Sequence, residues 1–333
     1  MAIEPISWVD IVGYQHEVVH IGVLDRLLRS GVDGEDDVRR CVAECLVGEP
    51  VFRVRQPCRE ARAGGRGRAD LVVDLELATR KSRVAVECKV DSAWTKEQLG
   101  NTLGQGDRGV LFALGSTSLV ASDADMPEGW RVLGLDTWEK TLRELGLGGC
   151  PVIKDYCAQL NAELTDHRAA RGAACNNQKL ETRRRGSTDT LAHWAYFGGT
   201  LEKLDDRRDW SRSALVSGPL LTRWFRFAND ADVSSEAAAG VYLEFMGLPG
   251  QRRELKVKAW SEDRSKLSSL IDALGPVPSM DRPKGKIRRD SKTGTAATTD
   301  LGRETPSKAA ARADELLRDL HEPAGDALRS VFA

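Results

Sequence analysis

Apolar residues recur at two different spacings along the first half of the chain. After Gly13, the residues Val18, Ile21, Leu24 and Leu28 repeat at helical intervals and Gly31 offers a stop, which predicts an amphipathic helix. A second helix is predicted from about Glu35 to Leu46, with acids at its start and Val38, Val42 and Cys45 along one side. From Val51 the period shortens to two. VFRVRQP alternates like a strand, CREARAGGRGR follows as a glycine and arginine loop, and LVVDLEL and SRVAVECKV read as two strands joined at ATRK in a hairpin. A helix from Thr95 to about Leu103, strands from Gly109 and near Trp130, and a helix TWEKTLREL capped by Asp136 complete this stretch. The succession predicts an α/β fold with helices packed on a mixed sheet.

The second half is less regular. Val152 to about Thr165 reads as a helix, and Asp166 to Thr190 as a polar, exposed loop that contains Arg183, Arg184 and Arg185. Aromatic residues concentrate between Leu191 and Trp224, VYLEFMG and ELKVKAW form a hairpin around Leu248-Pro-Gly, and Ser261 to Leu274 is one more helix. Residues Pro276 to Pro306, rich in Pro, Lys, Arg, Ser and Thr, read as a linker before a final helix from about Lys308 to Leu320. The expected organisation is a core over 1–150, an α+β extension over 151–275 that extends the sheet or forms a recognition unit, a linker over 276–307, and a C-terminal helix and tail over 308–333. That last segment has an apolar stripe suited to docking on the body, on a protein partner or on a second copy of the chain.

Composition narrows the class without naming a function. The 333 residues are 41% hydrophobic and 30% charged, a globular balance. With 49 basic and 50 acidic residues the net charge is -1, so a nucleic-acid partner would have to be held by local patches. No apolar run reaches membrane-spanning length and MAIEPISWVD lacks the pattern of a signal peptide, so a cytoplasmic protein with no membrane partner is expected. The seven scattered cysteines, with no CxxC pair, read as reduced thiols.

The stretch VAVECKV changes the picture. Alternation puts Val84, Val86, Cys88 and Val90 on one face and Ala85, Glu87 and Lys89 on the other. A surface ion pair would account for Glu87 and Lys89 at about 0 to 1 kcal/mol. Their surroundings suggest more. Asp70 heads the preceding strand and Gln98 lies on the following helix. Two carboxylates meeting at the open end of the hairpin would repel unless a cation sat between them, and oxygen donors of this kind suit Mg²⁺, with Mn²⁺ as a substitute. Lys89 would face the same point, where a lysine can deprotonate an attacking water as the neutral amine, or position it and stabilise charge on a phosphate as the ammonium.

Arg68-Ala-Asp70, Val-Glu87-Cys-Lys89 and Glu97-Gln98-Leu together resemble the core of the PD-(D/E)xK nuclease superfamily, and Glu17 in YQHEVVH matches an acid on the upstream helix. The resemblance spans roughly residues 14 to 115. It implies a restriction-endonuclease-like fold in which Asp70 and Glu87 hold the metal with the backbone carbonyl of Cys88, Lys89 assists phosphodiester hydrolysis, and Glu17 and Gln98 complete the pocket, with Glu17 as a further ligand or a supporting group. Ala69 stands where the proline that names the family would be; that position contributes no ligand atom. The implied activity is a metal-dependent endonuclease acting on DNA, with RNA as the other candidate, in restriction, defence against phage or repair. The competing reading is a noncatalytic nucleic-acid-binding or protein-interaction module on the same fold.

Several details turn on geometry that the sequence leaves open. A tight hairpin centred on Arg80 would set Glu87 opposite Val73, so a bend or bulge is needed to bring Asp70 in, and Asp74 competes for the role from the same strand face. His20 reads as a structural histidine that could border the pocket. Arg59, Arg62, Arg66 and Arg68, Arg183 to Arg185, and Lys284 to Arg289 are candidates for binding phosphate or are solvated charge. Trp194, Trp210 and Trp224 are expected in the core, with base stacking as the alternative.

Overall fold

The computed structural model describes residues 8–29, 35–147, 150–178, 188–215, 218–225, 239–248, 252–283, 291–302 and 304–332. The chain divides into two compact units, Met1–Ala169 and Ala170–Ala333, with the division inside a long helix rather than at residue 150.

The first unit contains α1 (Trp8–Val12), α2 (Glu17–Leu28), α3 (Glu35–Val47), β1 (Val51–Val54), β2 (Cys58–Ala61), β3 (Ala69–Leu77), β4 (Lys81–Val90), α4 (Lys96–Thr102), β5 (Arg108–Leu114), β6 (Trp130–Gly134), α5 (Leu135–Glu144) and most of α6 (Pro151–Cys175). Its six-stranded sheet runs β1-β3-β4-β5-β6, with β2 pairing β3 beside β1. β3 and β4 are antiparallel, whereas β4, β5 and β6 are parallel, so the sheet is mixed as expected. β4 is where the direction changes, so its carboxyl end lies between the head of antiparallel β3 and the carboxyl end of parallel β5.

Alternation decides which face of each strand is dry. Leu71, Val73 and Leu75 of β3 and Val84, Val86, Cys88 and Val90 of β4 enter one large core with Leu24 and Leu28 of α2, Leu46 of α3, Phe112 of β5, Trp138 of α5 and Tyr156 of α6. Leu24 and Leu28 are fully buried, each worth about 1.5–3 kcal/mol of apolar transfer. Val18, which the helical pattern includes in the stripe, is instead 62% exposed. The opposite sheet face carries a smaller cluster of Ala63, Ala69, Val72 and Ala85. Its small side chains leave room for the charged groups farther along β3 and β4.

Local chemistry corrects three boundaries in this unit. Cys58–Ala61, expected in a loop, pairs with β3. The cap of α5 is Gly134, and Asp136 sits inside the first turn, where its charge still opposes the helix dipole without a capping bond. α6 runs on to Cys175 through residues expected in an exposed loop, because alanines and arginines favour a helix and His167, Ala170 and Ala174 continue the buried face begun by Leu160 and Leu164. Arg183 to Arg185 and Lys284 to Arg289 lie outside the described residues.

The second unit holds α7 (Thr188–Leu201), β7 (Ser211–Leu215), β8 (Gly218–Trp224), β9 (Ala239–Leu248), β10 (Arg252–Ser261), α8 (Leu267–Leu274), β11 (Thr293–Asp300), α9 (Pro306–Asp319) and α10 (His321–Phe332). The five strands form an antiparallel sheet in the order β11-β10-β9-β8-β7, which includes the expected β9–β10 hairpin. β11 lies inside the stretch read as a linker, and the tail is two helices. Trp194 and Trp210 are buried in this unit, but Trp224 is 43% exposed and packs against Tyr242 with ring centroids 4.6 Å apart and the rings tilted by 37°. All seven cysteines are free thiols. Among the described residues no helix is long and apolar enough to cross a membrane.

Candidate active site

The β3–β4 hairpin turns between Ala78 and Thr79, closed by the Leu77 amide donating to the Arg80 carbonyl at 2.8 Å. The ladder then runs without a shift from Glu76 opposite Lys81 to Leu71 opposite Val86. One further step sets Asp70 across from Glu87. No bulge is required, in contrast to the register expected for a turn centred on Arg80; the turn lies earlier in ATRK and moves every partner. Asp74 faces Arg83 in the same ladder and is ion-paired with it at 2.9 Å, with both side chains 45% exposed. The competitor is therefore occupied on the surface.

Asp70 Oδ2 accepts the Cys88 amide hydrogen at 2.7 Å, which ties the head of β3 to the strand bearing Glu87 and Lys89. Glu87 Oε1 is the hub of the cluster. It accepts from Gln98 Nε2 at 2.7 Å and pairs with Lys89 Nζ at 2.9 Å. Gln98 is delivered by α4, whose first turn is capped by Thr95 Oγ1 accepting the Gln98 amide at 3.0 Å. Glu17 opens α2, and its Oε1 stands 3.7 Å from Lys89 Nζ. Five side chains from four elements, all named by the sequence pattern, thus meet around the C-terminal half of β4.

Burial and charge act together here. Glu87 is 5% exposed, and burial, followed by the charge of Asp70, raises its carboxyl above the ordinary value while Lys89 pulls the other way. Burial alone would lower the Lys89 ammonium; the hydrogen bond and charge of Glu87, with Glu17 and Asp70 behind it, outweigh that and leave it above the usual lysine value. Lys89 is therefore held as a cation between two carboxylates, suited to attracting and orienting negative charge.

The structure adds residues that the sequence pattern did not single out. Ser92 Oγ donates to Glu17 Oε1 at 3.1 Å, and the Ser92 amide and carbonyl are both bonded to Thr117 Oγ1, at 3.0 and 2.7 Å. Asp91, with φ of 53°, accepts the Ser116 amide at 2.6 Å. Aspartate tolerates the left-handed region, so Asp91-Ser92 directly after an apolar strand carried a readable turn signal. The turn that ends β4 is what orients Glu17. His20 is fully buried and does not border the cluster. Its Nε2 donates to the Tyr14 carbonyl at 2.7 Å, so Nδ1 accepts from the Tyr156 hydroxyl at 2.7 Å, and Trp138 Nε1 donates to Tyr156 at 3.2 Å. Burial lowers its pKa to about 4, which keeps the ring neutral.

The donors suit a divalent cation in kind. Asp70, Glu87 and Glu17 each have one oxygen held by the bonds above, and among the described residues the second oxygen of each has no partner. Among the described residues no three His, Cys, Asp or Glu side chains form a ready-made metal-binding group. Two carboxylates are nevertheless enough for Mg²⁺, which completes its shell with water and substrate phosphate. The chain matches no family model, no curated protein and no solved structure.

Proposed function

We propose that the first unit is a Mg²⁺-dependent nuclease, Mn²⁺ substituting, that hydrolyses DNA phosphodiester bonds as an endonuclease on a restriction-endonuclease-like sheet. The observation that carries this reading is the meeting of Lys89 Nζ, Gln98 Nε2 and the Glu87 carboxylate, 2.9 and 2.7 Å apart, on the strand facing Asp70. Asp70 and Glu87, with the Cys88 carbonyl between Glu87 and Lys89, would hold the ion, and Glu17 supports them through Lys89. When bound, the ion supplies positive charge to the scissile phosphate and its leaving oxygen. Gln98 fixes one oxygen of Glu87, so that carboxylate presents a defined edge. Lys89, kept cationic, orients the attacking water and stabilises the charge that grows on the phosphate. Restriction, defence against phage and repair are the settings in which such a nuclease would work.

The test is cleavage of supercoiled plasmid and of single-stranded DNA by the full chain with Mg²⁺, with EDTA, and with Lys89→Ala. Wild-type protein should nick or linearise DNA only with the metal, and Lys89→Ala should lose about 10²-fold or more in rate with an unchanged circular dichroism spectrum. Equal cleavage by the two proteins defeats the reading.

A further inference from the structure

Many arginines of the first unit are ion-paired, while Arg26, Arg53, Arg168 and three in one loop are exposed without an ion-pair partner among the described residues. Arg55, Arg59, Arg80, Arg83 and Arg108 are each paired with a carboxylate: Glu76, Asp25, Glu49, Asp74 and Glu49 respectively. Arg62, Arg66 and Arg68, all in the β2–β3 loop, are exposed and have no ion-pair partner among the described residues. Arg59, grouped with them on sequence, is thereby removed from the set: it ties β2 to α2 through Asp25.

This loop is not a loose connection. The Gly67 amide donates to the Asn101 carbonyl at 2.8 Å, and Ala63 and Gly64 bridge to Leu103. Gly65 packs so closely on the end of α4 that a Cβ there would lie 2.4 Å from the Asn101 carbonyl oxygen, backbone that cannot swing away. Gly64, at φ of +111°, lies against Gly104 in the same manner, and the Asp107 carboxylate beside it is engaged by the Gly104 amide. Backbone therefore presses on backbone along the loop, fixing it to the helix that carries Gln98, and Thr102 Oγ1 closes the link by donating to the Gln98 carbonyl at 3.0 Å. Arg68 is two residues from Asp70. A pinned loop that leads into the strand headed by Asp70 and carries three guanidinium groups without an ion-pair partner among the described residues has the chemistry of a backbone grip, since arginine forks match phosphate oxygens and position a strand without reading bases.

We propose that Arg62, Arg66 and Arg68 bind phosphates flanking the bond that is cut, so that the site takes a nucleic-acid strand rather than an isolated diester. The proposal rests on the nuclease reading for the location of the cut bond, but the grip itself is measurable without turnover.

Binding of a fluorescent DNA duplex to the full chain, in the Lys89→Ala background, is followed by anisotropy across a salt series. Replacing the three arginines by glutamine should weaken binding at least tenfold near 0.1 M salt and flatten the plot of log affinity against log salt by about 0.9 for each phosphate no longer neutralised, roughly 2 to 3 in total. Arg26, Lys140 and Arg143, exposed elsewhere in the unit, serve as a triple glutamine control that should keep the parental slope. A parental slope in the loop variant, or no DNA binding by the parent, overturns the proposal. The two readings fail separately. A nuclease that loses cleavage with Lys89→Ala but keeps its salt slope without the loop arginines refutes the grip alone. A chain whose slope depends on those arginines, but whose cleavage ignores Lys89, keeps the grip and refutes the assigned chemistry.

Discussion

β4 and β10 each carry a glutamate and a lysine two residues apart, Glu87 with Lys89 and Glu254 with Lys256, and both pairs close to 2.9 Å. Each glutamate even has an aspartate across the ladder: Asp70 lies one step beyond the last β3–β4 pair, and Asp300 is paired directly with Glu254. The difference lies in what surrounds them. Asp70 reaches across to the Cys88 amide, whereas exposed Asp300 bends back to its own turn through the Gly302 amide. Glu87 is met by Gln98 from one helix, and its lysine by Glu17 from another; Glu254 is flanked by Met246 and its lysine lies 3.6 Å from the Met246 sulfur. Identical spacing and identical pairing give a convergent polar cluster in one unit and a sheet-face ion pair in the other. The motif becomes a candidate site only when independent elements deliver further charge to it.

Cleavage should show this difference most strongly. Lys89→Ala should cost about 10²-fold or more, while Lys256→Ala should leave the rate within about twofold, since a partly exposed ion pair contributes roughly 0 to 1 kcal/mol and touches none of the proposed machinery. The reverse pattern in a plasmid assay would move the chemistry to the second unit.

The next effect concerns the support that the β10 pair lacks. His20 ties the start of α2, and so Glu17, to Tyr156 and through it to Trp138. Its folded pKa of about 4 is below the unfolded value of 6.5, so its contribution to stability is complete above about pH 6.5 and is lost as pH falls toward 4. By linkage that loss amounts to about 3 kcal/mol. Urea unfolding at pH 7 and pH 4.5 should show it in the wild type. His20→Phe should be less stable at pH 7 by a similar amount, because the Tyr14 carbonyl and Tyr156 hydroxyl lose their partner, and its pH dependence should be shallower. Parallel pH profiles for the two proteins would show that the imidazole titrates freely.

The distribution of these features explains what could be read from the chain. Period-two alternation disclosed β3 and β4 because each has one dry face, and it placed Glu87 and Lys89 together on the other. It could not fix the register, since ATRK offers more than one turn centre and a shift in the centre moves Asp70 relative to Glu87. β11 escaped detection because TGTAATTD has no large apolar residue; Ala296 and Ala297 are buried by the neighbouring strand and helix rather than by their own hydrophobicity. Ser92 and Thr117 act through hydrogen bonds across 25 residues, a separation over which periodicity carries no information.

Two glycines near α4 test how tightly Gln98 is held. A Cβ on Gly65 would strike the Asn101 carbonyl, so Gly65→Ala should displace the loop and destabilise by about 1–3 kcal/mol, with a fall in cleavage as Gln98 shifts. Gly100, inside the same helix, has nothing within 4 Å of the corresponding position. Gly100→Ala should therefore stabilise, by up to about 1 kcal/mol, through helix propensity alone. Opposite signs are expected in thermal unfolding, and a shared sign would mean that the loop yields without moving the helix.

The finest distinction separates two aspartates on the same face of β3. Asp74 and Asp70 are chemically alike and four residues apart, yet among the described residues the Asp74 carboxylate meets only Arg83, in a pair with both partners nearly half exposed. Solvent screens that pair, so Asp74→Asn should change stability by less than about 1 kcal/mol and leave cleavage and metal dependence unaltered. Asp70→Asn keeps the shape and an acceptor for the Cys88 amide but removes the charge, so cleavage should fall while the fold persists. If Asp74→Asn instead abolished cleavage and Asp70→Asn did not, the acid that matters would be the one facing Arg83. The short hairpin turn between Ala78 and Thr79 would then be setting a register that catalysis does not use.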